Sequence, residues 1–73
     1  MTTDEAIEMI EGGLPGWTWD VFARVPGEDY QARVWETGDT PDVALQVYVN
    51  ASTPAAALAE AYERVKRGEF YTG

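Results

Sequence analysis

The sequence contains neither cysteine nor histidine, and its 73 residues include only one serine and one lysine. Without cysteine, no disulfide can form and no thiolate can hold zinc. Without histidine, the commonest general base near neutral pH is missing, and Ser–His and Cys–His nucleophiles cannot be assembled. Ser52 stands beside a predicted helix cap and Lys66 near an exposed helix end, so neither is activated there. We therefore expect no catalytic residues: the protein is not an enzyme.

Long apolar runs are also missing. None approaches the roughly 18 residues that a membrane-spanning helix requires, and no charged segment followed by an apolar one resembles a signal peptide. The carboxylates Asp39 and Asp42 lie in a Gly/Pro loop where Asp is ordinary turn chemistry, and their spacing does not match an EF-hand. We therefore expect no membrane partner, no metal, no cofactor and a cytoplasmic location.

Basic residues are scarce as well. Five Lys and Arg stand against thirteen Asp and Glu, which gives a net charge of −8. A field of this sign repels nucleic-acid phosphates and anionic lipid, and it attracts basic surfaces. The alternative is that the charge serves only to keep the protein in solution.

Two segments have the periodicity of amphipathic helices. The first, residues 3–12, follows a capping-box pattern at Thr2–Glu5 and ends at two glycines. The second starts at Thr53–Pro54, which fit the N-cap and first helical position, and ends at Gly68. Residues 68–73 are predicted to be either a flexible tail or a segment tucked against a sheet.

Between the helices, three segments alternate as β-strands do: residues 17–25, 30–36 and 43–49. Pro26-Gly27 fits the centre of a type II turn, so the first two strands form a hairpin. One face of the resulting sheet is almost wholly apolar and the other is mixed. The sequence therefore predicts a single α+β domain over residues 1–73 in α-β-β-β-α order, a three-stranded antiparallel sheet with two helices packed on one face.

Two surfaces are candidates for binding a partner. The first is acidic and combines one side of the first helix with nearby loops: Asp4, Glu5, Glu8, Glu11, Glu36, Asp39 and Asp42. The second is the mixed sheet face, where aromatic rings stand among arginines, as in interface hot spots: Phe22, Arg24, Arg33, Trp35 and Tyr48. The alternatives are an ordinary solvated helix face for the first, and rings covered by arginine stems or by the tail for the second.

A short helix followed by Gly16-Trp17-x-Trp19, the Tyr30–Trp35 strand and the Ala51–Ala61 segment resembles small phage and prophage proteins. In particular, it is similar to those called phage ABA-sandwich domains, and the resemblance covers most of the chain. The Cys-Arg pair of that family's final helix is missing here. The resemblance implies a phage genetic context and brings no catalytic residues with it. Small acidic phage proteins of this size are often inhibitors of host systems, anti-CRISPR proteins among them.

The leading functional hypothesis is a phage-encoded inhibitor that acts in the cytoplasm of an infected or lysogenic bacterium. It would occupy a basic surface of a host nucleic-acid-handling defence complex as a nucleic-acid mimic, without binding nucleic acid itself. Two alternatives stay open. One is a homo-oligomeric accessory or structural phage protein, such as a homodimer formed through the aromatic sheet face, and the other is an antitoxin-like protein-binding domain.

Overall fold

The structure is a computed structural model that describes residues 1–37, 45–69 and 71–72, with the backbone alone for residues 45, 71 and 72. Its elements in chain order are α1 (Thr3–Gly13), β1 (Trp17–Val25), β2 (Asp29–Glu36), β3 (Leu45–Ala51), α2 (Pro54–Lys66) and β4 (Tyr71–Thr72). The predicted α+β class and α-β-β-β-α order are confirmed. The sequence did not predict β4, a two-residue strand that pairs with the start of β3.

The sheet is antiparallel throughout, with strand order β1-β2-β3-β4. Its register aligns Trp19 with Val34 and Val34 with Val47, so that one apolar row crosses three strands on a single face. The adjacent row, which begins with Asp20 opposite Arg33, lies on the other face because side chains alternate along a strand. This register produces the two unlike faces that the alternation predicted.

The β1–β2 hairpin closes as predicted at Pro26-Gly27, where Gly27 has φ +79° and the Glu28 N–H donates to the Val25 carbonyl at 2.9 Å. One irregularity was not predicted. The register shifts between Ala23 and Val25, so Arg24 lies in a β-bulge near the hairpin end. Arg24 was predicted to lie on the mixed sheet face because residues alternate along a regular strand, and the bulge interrupts that alternation.

The core lies between the apolar sheet face and both helices. Its buried residues form one cluster: Ala6, Ile10, Leu14, Ala32, Val34, Val47, Val49, Ala55, Ala57, Leu58, Ala61 and Val65. Three of the buried residues of α2 are alanines, which let its backbone approach the strands closely, whereas α1 packs mainly against α2. The two-layer arrangement, with the helices on one face and the opposite face uncovered by a helix, follows from this packing.

Both predicted helix starts are confirmed by their caps. In α1, Thr2 N–H donates to the Glu5 carboxylate at 2.8 Å and Glu5 N–H donates to the Thr2 hydroxyl oxygen at 3.1 Å. In α2, Ala56 N–H donates to the Thr53 hydroxyl oxygen at 3.1 Å. Gly68, with φ +75°, ends α2 in a Schellman-type arrangement of backbone hydrogen bonds.

The end of α1 lies at the predicted pair of glycines. The helix extends to Gly13, one residue beyond the predicted bound, and of the glycines in this region only Gly16 has a positive φ, +85°. Gly13 has a packing role, because a Cβ there would lie 2.6 Å from Cε2 of Tyr62 on α2. The missing side chain thus lets the last turn of α1 lie directly against the Tyr62 ring.

Candidate protein-interaction sites

The outer side of α1 carries a run of exposed carboxylates. Asp4, Glu8 and Glu11 are all exposed. None of them forms an ion pair with any residue in the described part of the chain. The sequence contains no Lys or Arg before Arg24, so α1 has no cation of its own to neutralise them. We call these three residues the α1 acidic surface.

The other members of the predicted acidic set are placed differently. The Glu5 carboxylate is exposed but engaged in the capping box. There the backbone N–H of Thr2, and after it the Thr2 hydroxyl, hold the pKa of Glu5 below its ordinary value. Glu36 is half-buried at the end of β2, opposite Trp17 on β1. Asp39 and Asp42 lie outside the described residues.

Charges on α2 are balanced, in contrast to those on α1. Residues 54–69 contain three acidic and three basic side chains. Glu60 accepts from Arg64 at 3.2 Å and lies 3.6 Å from Arg67, which also pairs with Glu69. Arg67 therefore pairs with Glu60 and Glu69, and it forms no ion pair with Glu63 in the described part of the chain.

The sheet face opposite the helices is organised around Arg33. Its guanidinium Nε donates to Asp20 Oδ1 at 2.9 Å, and a second nitrogen donates to the other carboxylate oxygen, which makes a bidentate pair. The guanidinium carbon lies 5.6 Å from the Phe22 ring centroid and 5.7 Å from that of Trp35. We call Asp20, Phe22, Arg33 and Trp35 the Arg33 cluster. It is an electroneutral set in which one cation is held by a carboxylate and two rings.

The structure thus brings together three of the five residues predicted for the aromatic face, Phe22, Arg33 and Trp35. Tyr48 lies beside Arg33 in the register, and its side chain is 38% exposed, against 43% for Phe22. Arg24 is set apart by the bulge, half exposed, with its Nε 3.9 Å from the Asp29 carboxylate. Arg33 lies over the rings of Phe22 and Trp35, and Phe22 nevertheless keeps substantial exposure.

Gln46 belongs to the same face by register but is only 3% exposed. Its amide oxygen has no hydrogen-bond partner among the residues that the structure describes. A buried acceptor without a partner costs free energy, so this end of the sheet face is less well satisfied than the Arg33 cluster.

A groove that the sequence did not predict lies between the end of α1 and the start of β1. It encloses about 320 Å³ and is lined by Glu11, Leu14, Pro15, Gly16, Trp17, Thr18 and Trp19. The alternation along β1 correctly assigns Trp17 and Trp19 to the core side, where both pack against the buried cluster. Each indole is nevertheless only half-buried and also forms groove wall. The sequence features that could have indicated this groove are Glu11, the Pro15-Gly16 turn that follows it, and two alternating tryptophans.

Groups suited to metal binding are not assembled in the described part of the chain. No three carboxylates there are close enough to hold a metal ion. Ser52 is exposed beside the α2 cap, and the Lys66 ammonium lies 5.6 Å from the Tyr62 ring centroid. The described helices are also too short and too polar to cross a membrane.

Comparisons with known protein families, with curated proteins and with solved structures find no match for this chain. The resemblance to phage ABA-sandwich domains therefore stays a prediction from the sequence.

Proposed function

We propose that this protein is a small non-catalytic binding protein that docks the α1 acidic surface on a basic surface of a partner protein. In the phage context suggested by the sequence resemblance, the partner is a host nucleic-acid-handling defence complex. Carboxylates spread over a small rigid body occupy positions that the partner offers to phosphates. The protein then inhibits the complex by competing with its nucleic acid, in the manner of an anti-CRISPR protein.

The observation that carries this proposal is the segregation of charge between the two helices. All five basic side chains of the chain have an acidic or aromatic neighbour on the sheet or on α2, whereas the α1 acidic surface forms no ion pair with the described part of the chain. A helix face that serves only solubility commonly mixes both signs and forms i,i+4 pairs, as α2 does. On α1, an approaching basic partner meets carboxylates that are in no ion pair with the described part of the chain.

The test is a charge reversal matched by an equal reversal elsewhere. Glu8→Lys/Glu11→Lys inverts the α1 acidic surface, and Glu28→Lys/Glu63→Lys makes the same change of net charge at two other exposed residues. Wild type and both variants are immobilised, and bacterial lysate proteins are captured at low and high salt. Each captured protein is then purified and its affinity for its own nucleic acid is measured with and without the three proteins.

Wild type and the Glu28/Glu63 variant should capture the same basic protein at low salt and weaken its binding to nucleic acid. The Glu8/Glu11 variant should bind that protein about tenfold more weakly or worse, because it presents cations to a basic surface. Capture of the same protein with equal affinity by both variants, or capture without any effect on nucleic-acid binding, would contradict the proposal.

A second candidate function is self-association through the sheet face opposite the helices. It is favoured by the exposed rings of Phe22 and Tyr48 beside the electroneutral Arg33 cluster, because two copies of so acidic a chain repel each other least where the surface is neutral. Light scattering on wild type and Trp35→Ala decides this. A dimer that the substitution dissociates supports a homo-oligomeric protein, and a wild-type monomer at every accessible concentration excludes it.

A further inference from the structure

The groove between α1 and β1 lies at the C-terminal end of the α1 acidic surface, and Glu11 belongs to both. We propose that this groove binds the guanidinium group of an arginine side chain that the basic partner inserts. The inference rests on the proposed function and deepens it, since it names the side chain of the partner and the residues that receive it.

Two aromatic walls are the first argument. Trp17 and Trp19 both line the groove, and indole is the ring that attracts cations most strongly through its negative face. The Pro15-Gly16 turn, in which Gly16 has φ +85°, forms the wall between the helix and these rings. A volume of about 320 Å³ is at the lower end of the range of ligand pockets, a size that suits one long side chain.

The electrostatics of the helix end are the second argument. Glu11 lies in the last turn of α1, where the carbonyl ends of the helix concentrate partial negative charge. This turn contains no basic residue, and none of the five Lys and Arg side chains, all within the described ranges, lines the groove. A carboxylate at this end of a helix is unfavourable by itself, and a bound cation removes the penalty.

The Arg33 cluster supplies an internal precedent on the opposite face of β1. There a carboxylate and two aromatic rings, Asp20 with Phe22 and Trp35, hold one guanidinium. The groove contains the same three ingredients, Glu11 with Trp17 and Trp19, and no described cation. The molecule thus shows in its own Arg33 what this set of side chains can bind.

The same comparison favours arginine over lysine. A guanidinium is planar, stacks on aromatic faces, is weakly hydrated and can donate two parallel hydrogen bonds to one carboxylate. An ammonium is a compact and strongly hydrated charge, so its transfer into a groove between two indoles costs more desolvation. We therefore expect the groove to discriminate between the two basic side chains.

The experiment uses the three tryptophans as reporters. Indole N–H resonances of ¹⁵N-labelled protein are followed by NMR during titration with N-acetyl-arginine amide and, separately, with N-acetyl-lysine amide. With the arginine amide, the Trp17 and Trp19 signals should shift and saturate together, while Trp35, on the other sheet face beside Arg33, should not move. The lysine amide should bind more weakly.

Glu11→Gln keeps the shape of the groove wall and removes its charge. It should weaken arginine-amide binding roughly threefold to fivefold, the range expected for a partly exposed ion pair. Glu28→Gln removes the same charge in the turn after β1, at the other end of the strand from the groove, and should leave the affinity unchanged. Equal shifts of all three indoles, equal losses in both variants, or equal binding of the lysine amide would overturn the assignment.

This titration needs no partner protein, so its result is independent of the proposed function. Saturable arginine binding at Trp17 and Trp19, together with a partner whose affinity survives the reversal of Glu8 and Glu11, would leave the groove assigned and the proposed function wrong. A partner whose affinity depends on both glutamates, together with a groove that does not bind arginine amide, would support the proposed function and contradict the assignment of the groove.

Discussion

The Arg33 cluster and the groove are two aromatic–carboxylate sets on opposite faces of β1. The first takes Asp20 and Phe22 from that strand and contains its cation; the second takes Trp17 and Trp19 and has no described cation. Where the chain supplies the arginine, the carboxylate and the rings bind it within the molecule, and these contacts contribute to stability. Where it does not, the Glu11 carboxylate and the two indoles lie at the end of a helix whose exposed Asp4 and Glu8 form no ion pair with the described part of the chain. The difference is whether the cation comes from the chain itself or, in our proposal, from a partner.

The largest expected effect is a difference between the two faces of β1 in how much their side chains contribute to the free energy of unfolding. Trp19→Ala removes an indole that packs against the core and should lower the free energy of unfolding by about 3 kcal/mol. Phe22→Ala removes a ring that is 43% exposed, so about 1 kcal/mol is expected. Urea unfolding followed by circular dichroism measures both, and Trp19→Phe should recover most of the loss. Equal costs would mean that the faces are not energetically distinct.

A smaller effect is expected when the cation is taken from the Arg33 cluster. Arg33→Met keeps an apolar stem over the rings but leaves Asp20 without its partner. Because both side chains are about one-third exposed, we expect a loss of only about 1 kcal/mol, from a screened ion pair and two ring contacts. Arg33→Lys should lose about half as much, since the charge remains but the bidentate geometry does not.

The measurement for Arg33 is urea unfolding at low and high salt, with Asp20→Asn completing a double-mutant cycle. The coupling between the two residues should shrink as salt rises, because partly exposed charges are screened. A coupling near zero at low salt would show that the contact between Arg33 and Asp20 does not stabilise the protein, and it would weaken the cluster as a precedent for the groove.

Much of the fold could be predicted from the sequence because its signals are local. The Thr2–Glu5 capping box, the Pro26-Gly27 turn and the alternation along β1 each depend on neighbouring residues alone. The first strand was predicted with its observed bounds for the same reason. The mixed sheet face could also be predicted, because the register aligns polar and aromatic residues of neighbouring strands in straight rows.

The features that were not predicted depend on contacts between distant segments. The packing role of Gly13 needs Tyr62 from the other helix, and the bulge at Arg24 has no sequence signature in this hairpin. The groove is of the same kind. Its tryptophans were correctly assigned to the core side, but the gap beside them depends on where α1 ends relative to β1. Sequence periodicity indicates which side a residue faces, and it does not indicate whether that side is filled.

The smallest expected effect bears most directly on why Glu11 is where it is. If the carboxylate is placed for a cation from outside, the isolated protein should be more stable without it, because Glu11 faces the negative end of α1 with no described counter-ion. Glu11→Gln should therefore raise the free energy of unfolding by about 0.3 kcal/mol at low salt, with the gain disappearing at high salt. Thermal and urea unfolding against the Glu28→Gln control measure it. A loss of stability would instead assign Glu11 a structural role within the monomer. A gain in stability together with weaker arginine binding would mean that Glu11 lowers the stability of the free protein and strengthens the binding of arginine. Such a loss of stability in exchange for function is common at binding sites.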